Sequence, residues 1–200
     1  CAKACNSIDS IVISTDDEEV VQIALNNGFE VPFMRPQSLA NDTSPKIDSI
    51  LHATEFVENS LDFFPDIVVD LDIGVPLRKP EDITNCLKVL IRNSTLDGVV
   101  TIYESERNPY FNMVEIFGNE IKLVKKSNVG IYSRQKAPEV FSVSPAVFAW
   151  RRKSMSVKHL NQGKWGGCVI PRERAIDIDS KFDFDLVSWI SLNQSGENYE

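Results

Sequence analysis

The sequence predicts an α/β fold, because strand signals and helix signals alternate along most of its 200 residues. The run Ile67-Val68-Val69 is continuously apolar, as is typical of a buried strand in a parallel sheet. Residues 18–26 begin with two glutamates behind Asp17 and stop at Asn27-Gly28, which predicts a helix with a capped start and a glycine end. These observations together favour a sheet that is covered by helices.

The other elements follow from local patterns of apolar and turn residues. Apolar residues at helical spacing predict helices over 48–57, 80–92 and 182–192. Short β-branched or alternating runs predict strands over 11–14, 98–103, 140–150 and 168–170, and residues 30–33 read as a short extended piece. Residues 110–116 and 120–124 read as a β-hairpin that turns at Gly118-Asn119. No repeat or low-complexity linker divides the chain, so we expect one domain over residues 1–200.

Composition excludes several classes of protein. With 42% hydrophobic and 25% charged residues the chain is typical of a globular domain. A formal net charge of −8 argues against nucleic acid as a partner. No apolar run has the length of a membrane span, so no membrane partner is expected. The four cysteines match no common zinc pattern, which together with two histidines argues against a His/Cys metal site and favours a reducing, cytoplasmic location.

The strongest chemical signal is the pair Asp177 and Asp179. Two carboxylates at positions i and i+2 of an extended segment point to the same side, where they can share a hard cation such as Mg²⁺. A simpler interpretation also fits the spacing. Asp179 and Ser180 can cap the last helix, with Asp177 as a solvated loop acid. Spacing alone favours this simpler interpretation.

Several basic or polar residues are further candidates for binding anions, because an arginine fork suits a carboxylate or a phosphate. Pro76 and Arg78 follow the buried strand, at the end where open parallel sheets bind ligands. In each case a surface or turn-shaping role is the alternative. The remaining candidates are Arg35, Arg134 with Gln135, and Arg172.

Taken in order, eight short strings in six groups resemble the acylneuraminate cytidylyltransferase family. Each string is weak alone, but their order and their spread over nearly the whole chain make the resemblance specific. The strings are IVISTDDEE at 11–19, Arg35-Pro36 with LANDT at 39–43, PLR at 76–78 with EDI at 81–83, NPYFNMVE at 108–115, Arg134-Gln135, and RERAIDID at 172–179.

This resemblance implies a Rossmann-like nucleotidyltransferase fold, with a mainly parallel sheet, helices on both faces and a small β-hairpin excursion for dimerisation. It implies a homodimer in which residues of about 105–150 form the dimerisation and sugar-acid segment. The implied reaction joins CTP to a sialic-type nonulosonic sugar acid and releases pyrophosphate. The implied cofactor is Mg²⁺, held by Asp177 and Asp179.

The resemblance also implies roles for the remaining candidates. Arg35 would be catalytic and lie near the nucleotide, and Arg134 would face the carboxylate of the sugar acid. The residues expected to bind substrate or to brace the pocket are Gln135, Asp72, Pro76, Arg78 and Arg172.

The chain departs from the family pattern at its start and in two loops. The opening strand of the family and its basic, glycine-bearing nucleotide loop are expected before Cys1, so this polypeptide as given should bind CTP poorly. Gly74, Ser144 and Pro145 stand where the family carries hydroxyls and amides. These departures keep two alternatives open: a non-catalytic relative that acts as a dimerising or ligand-binding module, and a 3-deoxy-octulosonate cytidylyltransferase.

Overall fold

The structure is a computed structural model that describes residues 1–41, 43–126, 130–131, 133–157 and 159–194. No helix in these described ranges has the length and apolar character needed to cross a lipid bilayer. In chain order, the helices and strands of the described residues are α1 (Glu18–Asn26), α2 (Lys46–Leu61), β1 (Ile67–Asp70), α3 (Pro80–Arg92), β2 (Gly98–Glu104), β3 (Val114–Phe117), β4 (Glu120–Leu123), β5 (Phe141–Arg151), β6 (Trp165–Val169) and α4 (Lys181–Gln194).

Four of the strands form one sheet in the order β1-β5-β2-β6. β2 pairs with β6 in parallel, whereas β5 is antiparallel to both β1 and β2. The α/β class is confirmed, and β1, β2 and β6 run in the same direction. The pairing differs from the expected one, because the reversed strand β5 lies between β1 and β2, so that two of the three ladders of this sheet are antiparallel.

Helices cover both faces of the sheet, as predicted. On one face Ile83, Cys86 and Leu90 of α3 pack against Val99 and Val147. On the other face the first turns of α2 pack against aromatic residues of β5 and β6. Side chains alternate along β1, with Ile67 and Val69 facing α3 and Val68 facing α2. The apolar run at 67–69 is therefore divided between two cores.

The strand predicted over 11–14 is not present as a strand, which corrects the prediction, and the extended piece expected over 30–33 belongs to no sheet. Just beyond the two segments, the Arg35 amide donates to the Thr15 carbonyl at 2.8 Å. A strand needs a ladder of such bonds, and one bond does not make a ladder. The helix that follows is as predicted, because Asp17 Oδ1 accepts the amides of Glu19 and Val20 at its start.

The hairpin is confirmed as β3 and β4, which turn at Gly118 with a positive φ of 63°. A bulge interrupts the pairing of β2 with β5 between Val100 and Thr101. The Thr101 hydroxyl stabilises the bulge by donating to the Ser144 carbonyl at 2.9 Å and accepting the Val147 amide at 3.0 Å. Pro145 lies within the bulge, where a residue without an amide hydrogen is tolerated. The bulge thus explains why Ser144 and Pro145 stand at these positions.

Candidate active site

The carboxyl ends of β1, β2 and β6 meet at one edge of the sheet, because these three strands run in the same direction. Ligands of open α/β sheets bind at such an edge. Two groups of side chains lie there. We call Lys46, Asp70, Asp72 and Asp177 the acidic cluster. The basic cavity is lined by Glu104, Glu106, Arg134, Val169, Ile170, Pro171 and Arg172.

The acidic cluster is held together by Lys46 at the start of α2. Its ammonium forms a close ion pair with Asp70 Oδ2 at 2.6 Å and an aligned hydrogen bond to Asp72 Oδ2 at 2.7 Å. The other oxygen of Asp72 accepts the Gly74 amide at 2.9 Å. Asp70 and Asp72 alternate with Leu71, so both carboxylates point to the same side of the chain.

Asp177 reaches this cluster through a hydrogen bond of the neighbouring backbone. The Ile178 amide donates to the Gly74 carbonyl at 2.9 Å. A Cβ added to Gly74 would clash with Asp177 Oδ1 and lie 3.3 Å from Asp72 Oδ1. The glycine therefore leaves the space in which the two carboxylates approach each other. Gly74 is explained by this approach, although the sequence presents it only as the loss of a hydroxyl group.

The pKa values of the aspartates reflect this crowding. Partial burial raises the pKa of Asp177, and the negative charges of Asp72 and Asp179 raise it further. Burial also raises the pKa of Asp70, and Lys46 offsets only part of this effect. For Asp72 burial acts in the same direction, but the hydrogen bonds from Lys46 and Gly74 outweigh it and lower the pKa. A bound cation would relieve the repulsion at Asp177.

Asp179 is exposed and close enough to Asp177 for its charge to act on that carboxylate. The cap of α4 is made by Ser180, whose hydroxyl accepts the Asp183 amide at 3.3 Å and donates to Asp183 Oδ2 at 2.6 Å. The Ser180 part of the helix-cap interpretation is thus present in the structure. No preformed group of three or more metal-binding side chains occurs among the described residues.

Arg78 binds the backbone next to the acidic cluster. Its guanidinium donates to the Asp72 carbonyl and, at 3.1 Å, to the Ala146 carbonyl beside the bulge in β5. Burial lowers the pKa of Arg78, although the charges of Asp72 and Asp70 oppose this effect. Arg78 thus acts on the backbone that carries Asp72. Pro76 lies exposed in the same loop.

The basic cavity has a volume of about 560 Å³ and lies beyond the ends of β2 and β6. Arg134, in a short 3₁₀ helix, and Arg172, just after β6, both line it. The guanidinium of Arg172 forms an ion pair with Glu106. The structure therefore brings together two arginines that are 38 positions apart in the sequence, in a cavity that also carries two glutamates.

Two predicted site residues lie elsewhere. Arg35 donates to the Ser14 hydroxyl at 3.2 Å and to the Ser14 carbonyl, so its described hydrogen bonds hold two loops together. Gln135 is exposed next to Arg134. Sequence reasoning missed Lys46 and Asp70. Asp70 could have been found, because Asp70 and Asp72 repeat the i, i+2 spacing of Asp177 and Asp179. Lys46 meets Asp72 only through the fold, 26 residues apart.

Comparison with known proteins identifies the family of the chain. Residues 1–164 match the sequence model of a family described as Cytidylyltransferase. The chain belongs to this family. Among curated relatives of this cytidylyltransferase, a post-translational flagellin modification protein B from Campylobacter coli is 34% identical over 194 residues, which cover 94% of the chain and 80% of the relative.

Other relatives carry more specific names. A CMP-N,N'-diacetyllegionaminic acid synthase of Campylobacter jejuni is 33% identical over 185 residues, covering 90% of this chain and 76% of that protein. A pseudaminic acid cytidylyltransferase of the same species is 22% identical over 179 residues, which cover 89% of this chain and 76% of that protein.

Solved structures show the same fold. A CMP:2-keto-3-deoxy-manno-octonic acid synthetase complexed with CTP superposes with a TM-score of 0.63 at 14% identity, covering 96% of this chain and 85% of that one. A 4-diphosphocytidyl-2C-methyl-D-erythritol synthase from Anaerococcus prevotii gives a TM-score of 0.57 at 13% identity, and the match covers 92% of this chain and 82% of that one. The nucleotidyltransferase architecture of this cytidylyltransferase is therefore confirmed.

Proposed function

We propose that this cytidylyltransferase transfers CMP from CTP to a nine-carbon nonulosonic sugar acid and releases pyrophosphate. The observation that carries the proposal is the placement of the acidic cluster and the basic cavity at the same edge of the sheet. The acidic cluster suits a metal–triphosphate group, and the basic cavity suits a carboxylate. The relatives named for legionaminic and pseudaminic acids support a nine-carbon acid.

In the proposed reaction Arg134 and Arg172 bind the carboxylate of the sugar acid, so that its anomeric hydroxyl is directed towards the nucleotide. The anomeric hydroxyl loses its proton to solvent as its oxygen bonds to the α-phosphorus of CTP. The bond from this phosphorus to the bridging oxygen breaks, and pyrophosphate leaves. The residues contribute mainly positioning and charge. Glu106 must release Arg172 when the substrate carboxylate arrives, because both anions compete for one guanidinium.

The acidic cluster and Asp179 fit a magnesium ion. Mg²⁺ prefers oxygen ligands and in nucleotide enzymes is often held by only one or two carboxylates together with water and phosphate oxygens. Asp177 and Asp179 would supply these carboxylates, with Asp72 beside them across Gly74. When bound, the ion neutralises charge on the triphosphate.

The test is an assay of the protein expressed from its complete coding sequence, with CTP and Mg²⁺. Pyrophosphate release should depend on both and should be faster with legionaminic or pseudaminic acid than with the eight-carbon 3-deoxy-octulosonate. Faster turnover of the eight-carbon acid would replace the proposed substrate class. No release with any acid, from protein shown to be folded, would contradict the catalytic proposal.

We further propose a homodimer formed through the β3–β4 hairpin. Its apolar side chains are exposed, with Ile116 at 75% and Ile121 at 68%, although a two-stranded hairpin is rarely stable without a covered face. Light scattering of the purified protein should give twice the chain mass, and Ile116→Asp with Ile121→Asp should give the mass of one chain. A wild-type monomer at micromolar concentration would contradict the dimer.

A cytoplasmic location is proposed from the chemistry of the cysteines. All four are free thiols, and Cys5, Cys86 and Cys168 are buried. Unpaired buried thiols are typical of a reducing compartment. Labelling with a thiol reagent after denaturation should find all four reduced in protein extracted from cells under acid quenching, whereas a native disulfide would argue for an oxidising compartment.

A further inference from the structure

Lys46 is the one cation within the acidic cluster as defined above. It is the first residue of α2, and its side chain spans from this helix to the end of β1. The side chain is half-exposed along its length, and its ammonium lies 2.6 Å from the buried Oδ2 of Asp70. The motif strings of the sequence do not include it.

The two oxygens of Asp72 have different partners. Oδ2 accepts from Lys46 at 2.7 Å, and Oδ1 accepts from the Gly74 amide at 2.9 Å. Oδ1 is also the Asp72 atom that lies near the space shared with Asp177. A carboxylate that is held at both oxygens cannot rotate freely. Lys46 and the Gly74 amide together hold the Asp72 carboxylate with Oδ1 beside this space.

Lys46 also balances charge between two carboxylates that would otherwise repel each other. Asp70 and Asp72 both place Oδ2 within 2.7 Å of the same ammonium, and the Asp70 side chain is only 16% exposed. Like charges this close in a partly buried site repel strongly. Lys46 offsets this repulsion at the Oδ2 atoms, while the Gly74 amide holds Oδ1 of Asp72.

We propose that Lys46 is a positioning residue of the magnesium site, which acts by orienting Asp72 towards Asp177. The inference rests on the proposed function, because it requires that Asp72 and Asp177 face the same metal ion. Lys46 acts through Asp72 and does not touch the reacting atoms. Partners of this kind around metal ligands typically change metal affinity about 10- to 100-fold when they are removed.

The test is a titration of the full-length protein with Mn²⁺, followed by electron paramagnetic resonance of the free ion. Lys46→Met should weaken Mn²⁺ binding about 10-fold or more, and Lys46→Arg should recover most of the affinity because it retains the charge. The matched control is Lys181→Met. Lys181 is also the first residue of a helix and also forms an ion pair, with Asp185 at 2.9 Å, but lies outside the acidic cluster.

Each outcome decides the matter. Unchanged Mn²⁺ binding in Lys46→Met overturns the proposal, and tighter binding overturns it by showing that the ammonium competes with the metal. An equal loss in Lys181→Met reduces the effect to net charge and also overturns it. If Lys46→Met does not fold, Lys46→Gln replaces it with the same expected loss. If the wild type does not bind Mn²⁺, the metal site itself is refuted, and the role of Lys46 is refuted with it. This failure of the proposed function differs from the case in which the wild type binds Mn²⁺ and Lys46→Met binds it equally well.

Discussion

The acidic cluster and the basic cavity lie at the same edge of the sheet but are built differently. In the acidic cluster the charged groups hold one another and the backbone, through contacts of 2.6–2.9 Å from Lys46 and Gly74. In the basic cavity, Arg172 and Glu106 are each 59% exposed and pair mainly with each other. Exposed pairs of this kind contribute little to stability. The first region is preorganised, and the second can rearrange around a substrate.

This difference suits the two ligands. A small hard cation needs oxygen atoms at fixed positions, whereas a sugar acid must displace an existing partner before it binds. Substitutions in the acidic cluster should therefore affect catalysis and metal binding strongly. Substitutions in the basic cavity should affect mainly the affinity for the sugar acid.

The largest effect is expected for Asp177→Asn combined with Asp179→Asn. Loss of both carboxylates should reduce Mg²⁺-dependent pyrophosphate release by about 10³-fold or more, because electrostatic groups at a reacting phosphorus contribute several kcal/mol. The fold should remain intact, as judged by circular dichroism, because Ser180 makes the cap of α4. Unfolding of the double variant would instead support the helix-cap interpretation.

Arg174→Met tests the segment that connects the two regions. Arg174 donates to Glu81 at 2.7 Å and lies 3.4 Å from Asp82, which is almost fully buried at the start of α3. Removing the cation leaves a buried carboxylate with less compensation, so the free energy of unfolding should fall by about 3 kcal/mol. Urea denaturation measures this. Arg172→Met, two residues away and exposed, is the control and should change stability by less than about 1 kcal/mol.

Gly74→Ala would break the preorganisation of the acidic cluster by filling the space beside Asp177. The new methyl group must displace the Asp177 carboxylate, so we expect Mn²⁺ affinity to fall about 10-fold, in the range seen for disturbed metal surroundings. Ile73→Ala is the control in the same loop, because the Ile73 side chain is 82% exposed. Equal affinities in the two variants would show that Asp177 does not need this space.

Arg134→Met should weaken the basic cavity alone. We expect KM for the sugar acid to rise about 10-fold with KM for CTP unchanged, because one charge-assisted contact to a carboxylate is lost. Steady-state kinetics with each substrate varied in turn measures this difference. Lys136→Met, in the same 3₁₀ helix, is the control. A rise in KM for CTP instead would place Arg134 on the nucleotide side.

The smallest effect concerns the far end of α2, the helix that carries Lys46. Arg152 binds both oxygens of Glu58, at 2.5 and 2.8 Å, and its hydrogen bonds lower the pKa of Glu58. A lowered folded-state pKa means that this stabilisation is present above the usual glutamate pKa and is lost as the pH falls through the folded-state pKa. Glu58→Gln should therefore cost on the order of 1 kcal/mol at pH 7. The difference from wild type should vanish in strong acid, and a difference independent of pH would show that packing, not charge, is responsible.

The sequence by itself determined the elements whose signals are local. Asp17 and Gly28 bound α1 as predicted, Pro80 begins α3, and Gly118 turns the hairpin. Each depends on capping, a fixed φ or a positive φ, which a few neighbouring residues specify. The order of the motif strings likewise predicted the family, because an ordered series over a whole chain does not depend on any one contact.

Only the tertiary structure decided which distant groups meet. It showed that residues 11–14 form no ladder, since a strand exists through its neighbours and not through its own composition. It brought Lys46 to Asp72 and gave Gly74 its role beside Asp177. It showed that Arg35 donates a hydrogen bond to Ser14 and that Arg172 forms an ion pair with Glu106. These contacts join residues far apart in the sequence, and their partners are fixed by the packing of helices and strands, which no local pattern encodes.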